Sequence, residues 1–457
     1  MSIRDGAVRM FKTPRMSVWF CAFCLIFGLP LVFIYPPFLA SDEVPHFYFA
    51  YHVSEFRLVL EAHELETGSM LPSSLSETVG AVRENMLNVP DFNMKLMDDI
   101  PHIPLAPQEK EWTPFIALYS PLPYIPQSFG ILIGRIFSLP PLTLHYIARI
   151  CSLLAWAIIG MFALKIVPFY RNVLFVLLLT PLVFSKAVVI TADVVTVGAC
   201  ALLVCHILKM AYGESGITRR DTIFLFGLAV FVGLCKISYA PLAALCFLIP
   251  PERLGGRKRF LLVCGGTVFA ALVANMLWMV ILAANLPLRT NANANPREQI
   301  MYMLRQPFSF ARIVFNYTYD NLWINIQAIF GSVIVWREVW LPSWTIALLW
   351  ASVLFAAVSD KPEVDVRVWK KAGVLAVVTA VYVVIIASLY VSFSRPMHGW
   401  VQGMQPRYMY PLLFPFLLVL KRKKVGKLEK FDLPQIHIAV TGVSLAVLIV
   451  SMSARFM

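Results

Sequence analysis

The chain has 457 residues, 59% of them hydrophobic and only 14% charged, with a mean hydropathy of +0.72. Soluble domains carry about a quarter charged residues, so this composition excludes one and describes a polytopic membrane protein. The formal net charge of +13 does not indicate nucleic acid, because Lys and Arg fall in short blocks between apolar runs, as cytoplasmic loops do under the positive-inside rule. The eight cysteines lie inside apolar runs, where a free thiol behaves as a small hydrophobe. Neither a disulfide framework nor a structural metal is expected.

In chain order, a basic tail precedes an apolar run at 17–38, too long for the core of a signal peptide and read as an uncleaved first span. The segment 39–141 follows as a first extracytoplasmic loop, with Pro-rich and mixed-charge stretches that suit interfacial helices. Within it, "YIPQSFGILIGRIFSL" (124–139) decides the topology. If it spans, three basic blocks face outward. If it only dips into the interface, five blocks, including "PPERLGGRKRF" and "KRKKVGKLEK", all face the cytoplasm. The second arrangement is expected, with 124–139 as a partly embedded helix.

Further spans are expected near 142–165, 172–190, 193–212, 221–236, 239–250, 259–286, 342–358, 372–393, 408–420 and 434–453. The expectation is one integral-membrane domain over 1–457, an all-α bundle of about 11 transmembrane helices. Large extracytoplasmic segments lie at 39–141 and 287–341, and a basic cytoplasmic loop at 421–432. The N-terminus is expected in the cytoplasm.

This topology gathers on the outer face those charges that are not cytoplasmic anchors. Asp42, Glu43 and His46 follow the first span in "PPFLASDEVPHFYFAYHVSEFRL". Arg149 lies early in the second span, Lys186 and Asp193 flank an outer turn, Lys236 ends a span, and Arg407 enters one. Each has an ordinary reading: a snorkelling cation, a helix cap, a charged stop at the interface. Ionisable groups beside apolar surroundings are costly, however, and together mark a pathway or a site. A carboxylate deprotonates an incoming hydroxyl, and cations stabilise a departing phosphate, which Arg grips with a two-pronged fork. Acid, base and a lipid-accepting groove point to sugar transfer from a polyprenyl-phosphate carrier.

The motifs "ASDEVPHFYFAY", "YSPLPYIPQSFG", "TPLVFSKAVVITADVV", "GLCKISYAP" and "VQGMQPRYMYPLL" resemble those of a bacterial family of predicted membrane proteins of unknown function. That family's pattern is an early P-D-E-x-x-H-F and a late Q-G-R-Y. Ser41 here replaces the expected Pro, and Pro406 the expected Gly. The acidic pair directly after the first span also resembles the hallmark of the GT-C superfamily of integral-membrane glycosyltransferases.

The resemblance implies a GT-C-like fold and Asp42 as general base, with Glu43 its partner or replacement. It assigns His46, Asp193, Tyr119 and Tyr124 to the acceptor and sugar, and Arg149, Lys236 and Arg407 to the donor phosphate. The implied partners are a polyprenyl-phosphate sugar donor, a glycan or lipid-linked acceptor of the cell envelope, and the bilayer, with a bacterial inner membrane as the implied host. No metal site is assigned, although Asp42, Glu43 and Asp193 would offer oxygens to Mg²⁺ or Mn²⁺ if they converged. The alternative is a flippase or polymerase of lipid-linked saccharides, which needs the cations but not the acidic base.

Overall fold

A computed structural model describes residues 15–63, 66–88, 93–285, 295–335, 339–360, 364, 366–395, 397–421 and 433–457. The basic block at 422–432 lies outside the described residues. The fold is mostly helical. Six helices among the described residues are long and apolar enough to cross a membrane: Met16–Ile34 (α1), Pro141–Ile166, Asp193–Tyr212, Arg257–Asn285, Val368–Phe393 and Pro434–Phe456.

The chain between α1 and the second long helix is more varied than an array of interfacial helices. It forms α2 (Glu43–Ser54), β1 (Glu61–His63), β2 (Glu66–Pro72), α3 (Ser73–Asn88), β3 (Lys110–Pro114) and α4 (Ile125–Ile136). The strands make an antiparallel sheet in the order β1-β2-β3, with Glu61 opposite Gly68 and Met70 opposite Trp112. The all-α expectation is corrected here. Strand β3 joins from about forty residues away, so nothing local in "ETGSMLP" announces the ladder. Gly68 permits it, since a Cβ there would stand 2.3 Å from the Thr113 carbonyl oxygen. Helix α4, at 12 residues, is about 18 Å long and too short to cross a hydrocarbon core of about 30 Å.

Five other expected spans are short or broken, the one at 221–236 being a helix of 17 residues. The run 172–190 divides into α6 (Arg171–Leu178) and α7 (Pro181–Ala187), after α5 (Pro141–Ile166). Pro181 is the cause, because it drives Thr180 into an extended conformation at ψ 146°. After α8 (Asp193–Tyr212) and α9 (Arg219–Cys235), residues Ile237–Leu248 wind as a 3₁₀ helix around Pro241. Ser343–Ser359 has 17 residues, and Tyr410–Leu420 is shorter still. In α1, a π-turn at Cys24–Gly28 precedes Pro30 and relieves the clash that its ring would make with the preceding turn.

Helix α8 is the most enclosed of the long helices and packs against α5, α9 and the 3₁₀ segment. Helix α5 also holds α1 and α4. The α1–α5 crossing is close because Gly160 has no side chain, and a Cβ there would meet the Phe20 ring at 2.4 Å. Small residues at such crossings let packing replace the hydrophobic drive that lipid cannot supply.

Candidate functional site

The two acids of the "SDE" stretch take opposite directions. Asp42 is in the left-handed region, at φ 62° and ψ 11°, immediately before α2. A non-Gly residue held there costs about 1–3 kcal/mol and persists only where its surroundings demand it. The turn sends the Asp42 side chain outward, 45% exposed, and sends Glu43 into the interior with no exposed surface.

Glu43 meets Arg149, also fully buried, in a two-pronged pair at 2.8 Å and 2.8 Å. The remaining N–H groups of Arg149 go to the carbonyls of Val32 (3.1 Å), Tyr35 (2.6 Å) and Pro36 (2.9 Å). All five donors of the guanidinium are therefore engaged within the protein. Glu43 Oε1 also accepts the Ile190 N–H at 3.1 Å and lies 3.2 Å from His145 Nε2. Burial works against ionisation of Glu43, but the adjacent Arg149 and His145 prevail and hold its carboxyl far below the usual range. This differs from the expected roles of both residues. Glu43 presents no oxygen to a substrate, and Arg149 has no free donor for a phosphate. Together they clamp the end of α1, the start of α2, helix α5 and the turn before α8.

The other expected residues do converge. Arg407, 6% exposed, reaches Asp42 with Nη2 at 2.8 Å and Asp193 with Nε at 3.0 Å. The Asp193 contact is one of charge rather than a hydrogen bond, and neither Nε nor Nη1 has a hydrogen-bond partner among the described residues. Arg407 sits in a 3₁₀ turn, Pro406–Tyr408, and Asp193 is the first residue of α8. Lys236 occupies the extended hinge between α9 and the 3₁₀ helix, at φ −159° and ψ 125°. Asp42, Asp193, Lys236 and Arg407 thus each stand where a helix begins or breaks.

Lys236 is enclosed by aromatic rings, its Nζ lying 3.6 Å from the Tyr408 centroid, 5.7 Å from Tyr239 and 5.9 Å from Tyr119. Cation–π attraction of about 0.5–2 kcal/mol per good contact holds the ammonium, and the nearby charge of Asp193 attracts it as well. Beside it, His46 shares a 2.6 Å hydrogen bond between Nδ1 and the Tyr124 hydroxyl, and its ring centroid is 5.9 Å from that of Tyr119. Burial pushes His46 down to about 4, so its imidazole is neutral at physiological pH, while burial pushes both Tyr119 and Tyr124 up and keeps them phenols.

Sequence reading underweighted several neighbours. Lys186 and Trp156 line, with Asp193 and Arg407, a cavity of about 10 Å³ beneath the cluster. Tyr239 donates from its hydroxyl to the Tyr408 carbonyl at 2.8 Å and braces the hinge that holds Lys236. His145 stands one helical turn before Arg149 on α5, and that i, i+4 spacing was the available signal for it.

Among the described residues, no group of three or more His, Cys, Asp or Glu is placed to hold a metal ion. Asp42 and Asp193 are joined through a guanidinium, and Glu43 is committed to Arg149. That donor set does not fit a divalent cation.

The family model described as "Predicted membrane protein (DUF2142)" matches residues 25–416. No curated protein and no solved structure matches the chain.

Proposed function

The chain belongs to that family of predicted membrane proteins, and we propose that it transfers a sugar from a polyprenyl-phosphate donor to a hydroxyl of a cell-envelope acceptor, on a GT-C-like scaffold at the periplasmic face of a bacterial inner membrane. One observation carries this reading. Arg407 lies between the charges of Asp42 and Asp193, and its Nη1 has no hydrogen-bond partner among the described residues.

The donor phosphate approaches Arg407 Nη1 and the caged ammonium of Lys236, where it gains charge-assisted hydrogen bonds worth about 1.5–3 kcal/mol each. As the phosphate draws on Arg407, the guanidinium's hold on Asp42 weakens. The Asp42 carboxylate then takes the proton of the acceptor hydroxyl while that oxygen forms a bond to the anomeric carbon. The bond from that carbon to the phosphate oxygen breaks, and the electron pair leaves with the polyprenyl phosphate, whose charge rests on Arg407 and Lys236. Asp193 keeps Arg407 in place, and His46, Tyr119 and Tyr124 offer neutral hydrogen-bonding groups to the sugar and acceptor. Glu43, Arg149 and His145 position the Asp42 turn rather than touch substrate.

The donor half of this reading is tested by binding of polyprenyl monophosphate to the purified protein in detergent. Arg407→Gln and Lys236→Gln should each weaken binding by at least about 10-fold, equivalent to about 1.4 kcal/mol. Undiminished binding in both variants would remove the phosphate from this site.

A further inference from the structure

A second charged cluster lies away from the site just described, where α2 ends. Glu55, whose side chain is 9% exposed, is surrounded by three cations. Lys110 donates to both of its oxygens at 3.0 Å and 3.1 Å, Arg135 approaches at 3.4 Å, and Arg57 at 3.6 Å. Arg57 also pairs with Glu61 and donates to the Met70 carbonyl. Arg135 donates to the Ser54 carbonyl and lies 5.0 Å over the Tyr51 ring. The carboxylate lies inside and the cations outside, with Lys110 36%, Arg57 27% and Arg135 23% exposed. Three positive charges face two negative ones, so the outward surface of the cluster keeps one uncompensated positive charge.

Glu55, Arg57, Lys110 and Arg135, with Ser54, Phe56 and Leu132, line an open cavity of about 390 Å³, within the range of roughly 300–1,000 Å³ usual for small-ligand clefts. Its surroundings are apolar. Phe56 is 80% exposed and held outward by a left-handed backbone at φ 60°. Along α4, Ile125, Phe129, Ile133, Ile136 and Phe137 form one exposed stripe at helical spacing. Such a face beside cationic side chains is the pattern of a helix lying in the headgroup layer. A solvated ion-pair network would account for the charges but not for the bulky apolar residues presented around them.

We infer that this cavity receives the phosphodiester headgroup of an anionic phospholipid, its negative charge drawn by a lining of three cations against the one carboxylate of Glu55 and its acyl chains lying along the exposed stripe of α4. The inference does not depend on sugar transfer. Its test is native mass spectrometry of the full chain released from nanodiscs containing equal amounts of phosphatidylglycerol and phosphatidylcholine. Wild type should retain phosphatidylglycerol about 10-fold more than phosphatidylcholine, and Lys110→Gln with Arg57→Gln should abolish the preference. The single Lys110→Gln variant, expected to lose about 3-fold, guards against a double variant that fails to fold. Equal retention of the two lipids by wild type, or an undiminished preference in both variants, would overturn the assignment. So would binding of water-soluble glycerophosphoglycerol as tight as that of the lipid, since the acyl chains would then contribute nothing.

Discussion

Asp42→Asn should lower sugar transfer by about 10²–10⁴-fold, the usual contribution of a positioned general base, and leave folding intact. The substitution isolates proton transfer from architecture. Asn has the same shape, accepts a hydrogen bond from Arg407 as Asp42 does at 2.8 Å, and is one of the few residues that tolerate the left-handed backbone found at position 42. What it lacks is a basic oxygen. Turnover with a polyprenyl-phosphate sugar, measured beside thermal unfolding in the same detergent, separates the two effects. Transfer at the wild-type rate would remove Asp42 from the chemistry, whereas unfolding would make it a structural residue.

Glu43→Gln should damage stability far more than its neighbour's substitution does. Removing one partner of a buried ion pair leaves the other charge uncompensated and costs about 3–5 kcal/mol. Arg149 has no exposed surface. The pairing should also set an acid limit. Because the folded-state carboxyl of Glu43 is held below its ordinary value of 4.5, its stabilisation is fully present above that value and is lost only as pH falls well below it. The measurement is heat resistance of the purified protein at pH 7 for wild type, Glu43→Gln, Arg149→Met and the double variant. Each single variant should be strongly destabilised, and the double variant should recover part of the loss because both buried charges have gone. A Glu43→Gln protein as stable as wild type would show that the pair does not hold the turn.

The contrast between these adjacent acids marks how far the sequence could be read. Apolar runs announce membrane helices because a hydrophobic stretch of about 18–20 residues matches the thickness of the bilayer core, and the six long helices fall where such runs are. Runs containing a mid-segment Pro, such as 172–190 and 239–250, carry the same hydropathy but break where the ring removes a donor and restricts its neighbour. Hydropathy alone therefore overstates the number of continuous crossings. Asp42, Asp193, Lys236 and Arg407 were legible as charges at the ends of apolar runs, and they meet around Arg407. Arg149 looked the same by that criterion. Its partners, three carbonyls at 32–36 and the carboxylate at 43, are more than a hundred residues distant, and no spacing rule reveals them. The division between Asp42 and Glu43 was hidden for a different reason. One left-handed residue reverses the direction of the next side chain, and only the backbone records it.

The most direct test of the central claim incubates the purified protein with a panel of polyprenyl-phosphate hexoses and pentoses, together with cell-envelope glycan as acceptor, and measures polyprenyl phosphate released and sugar gained by the glycan. At least one donor should yield both products in equal amounts, at a rate that falls with Asp42→Asn and with Arg407→Gln. Intact lipid-linked sugar recovered across the whole panel, or product formed equally by wild type and Asp42→Asn, would contradict the account.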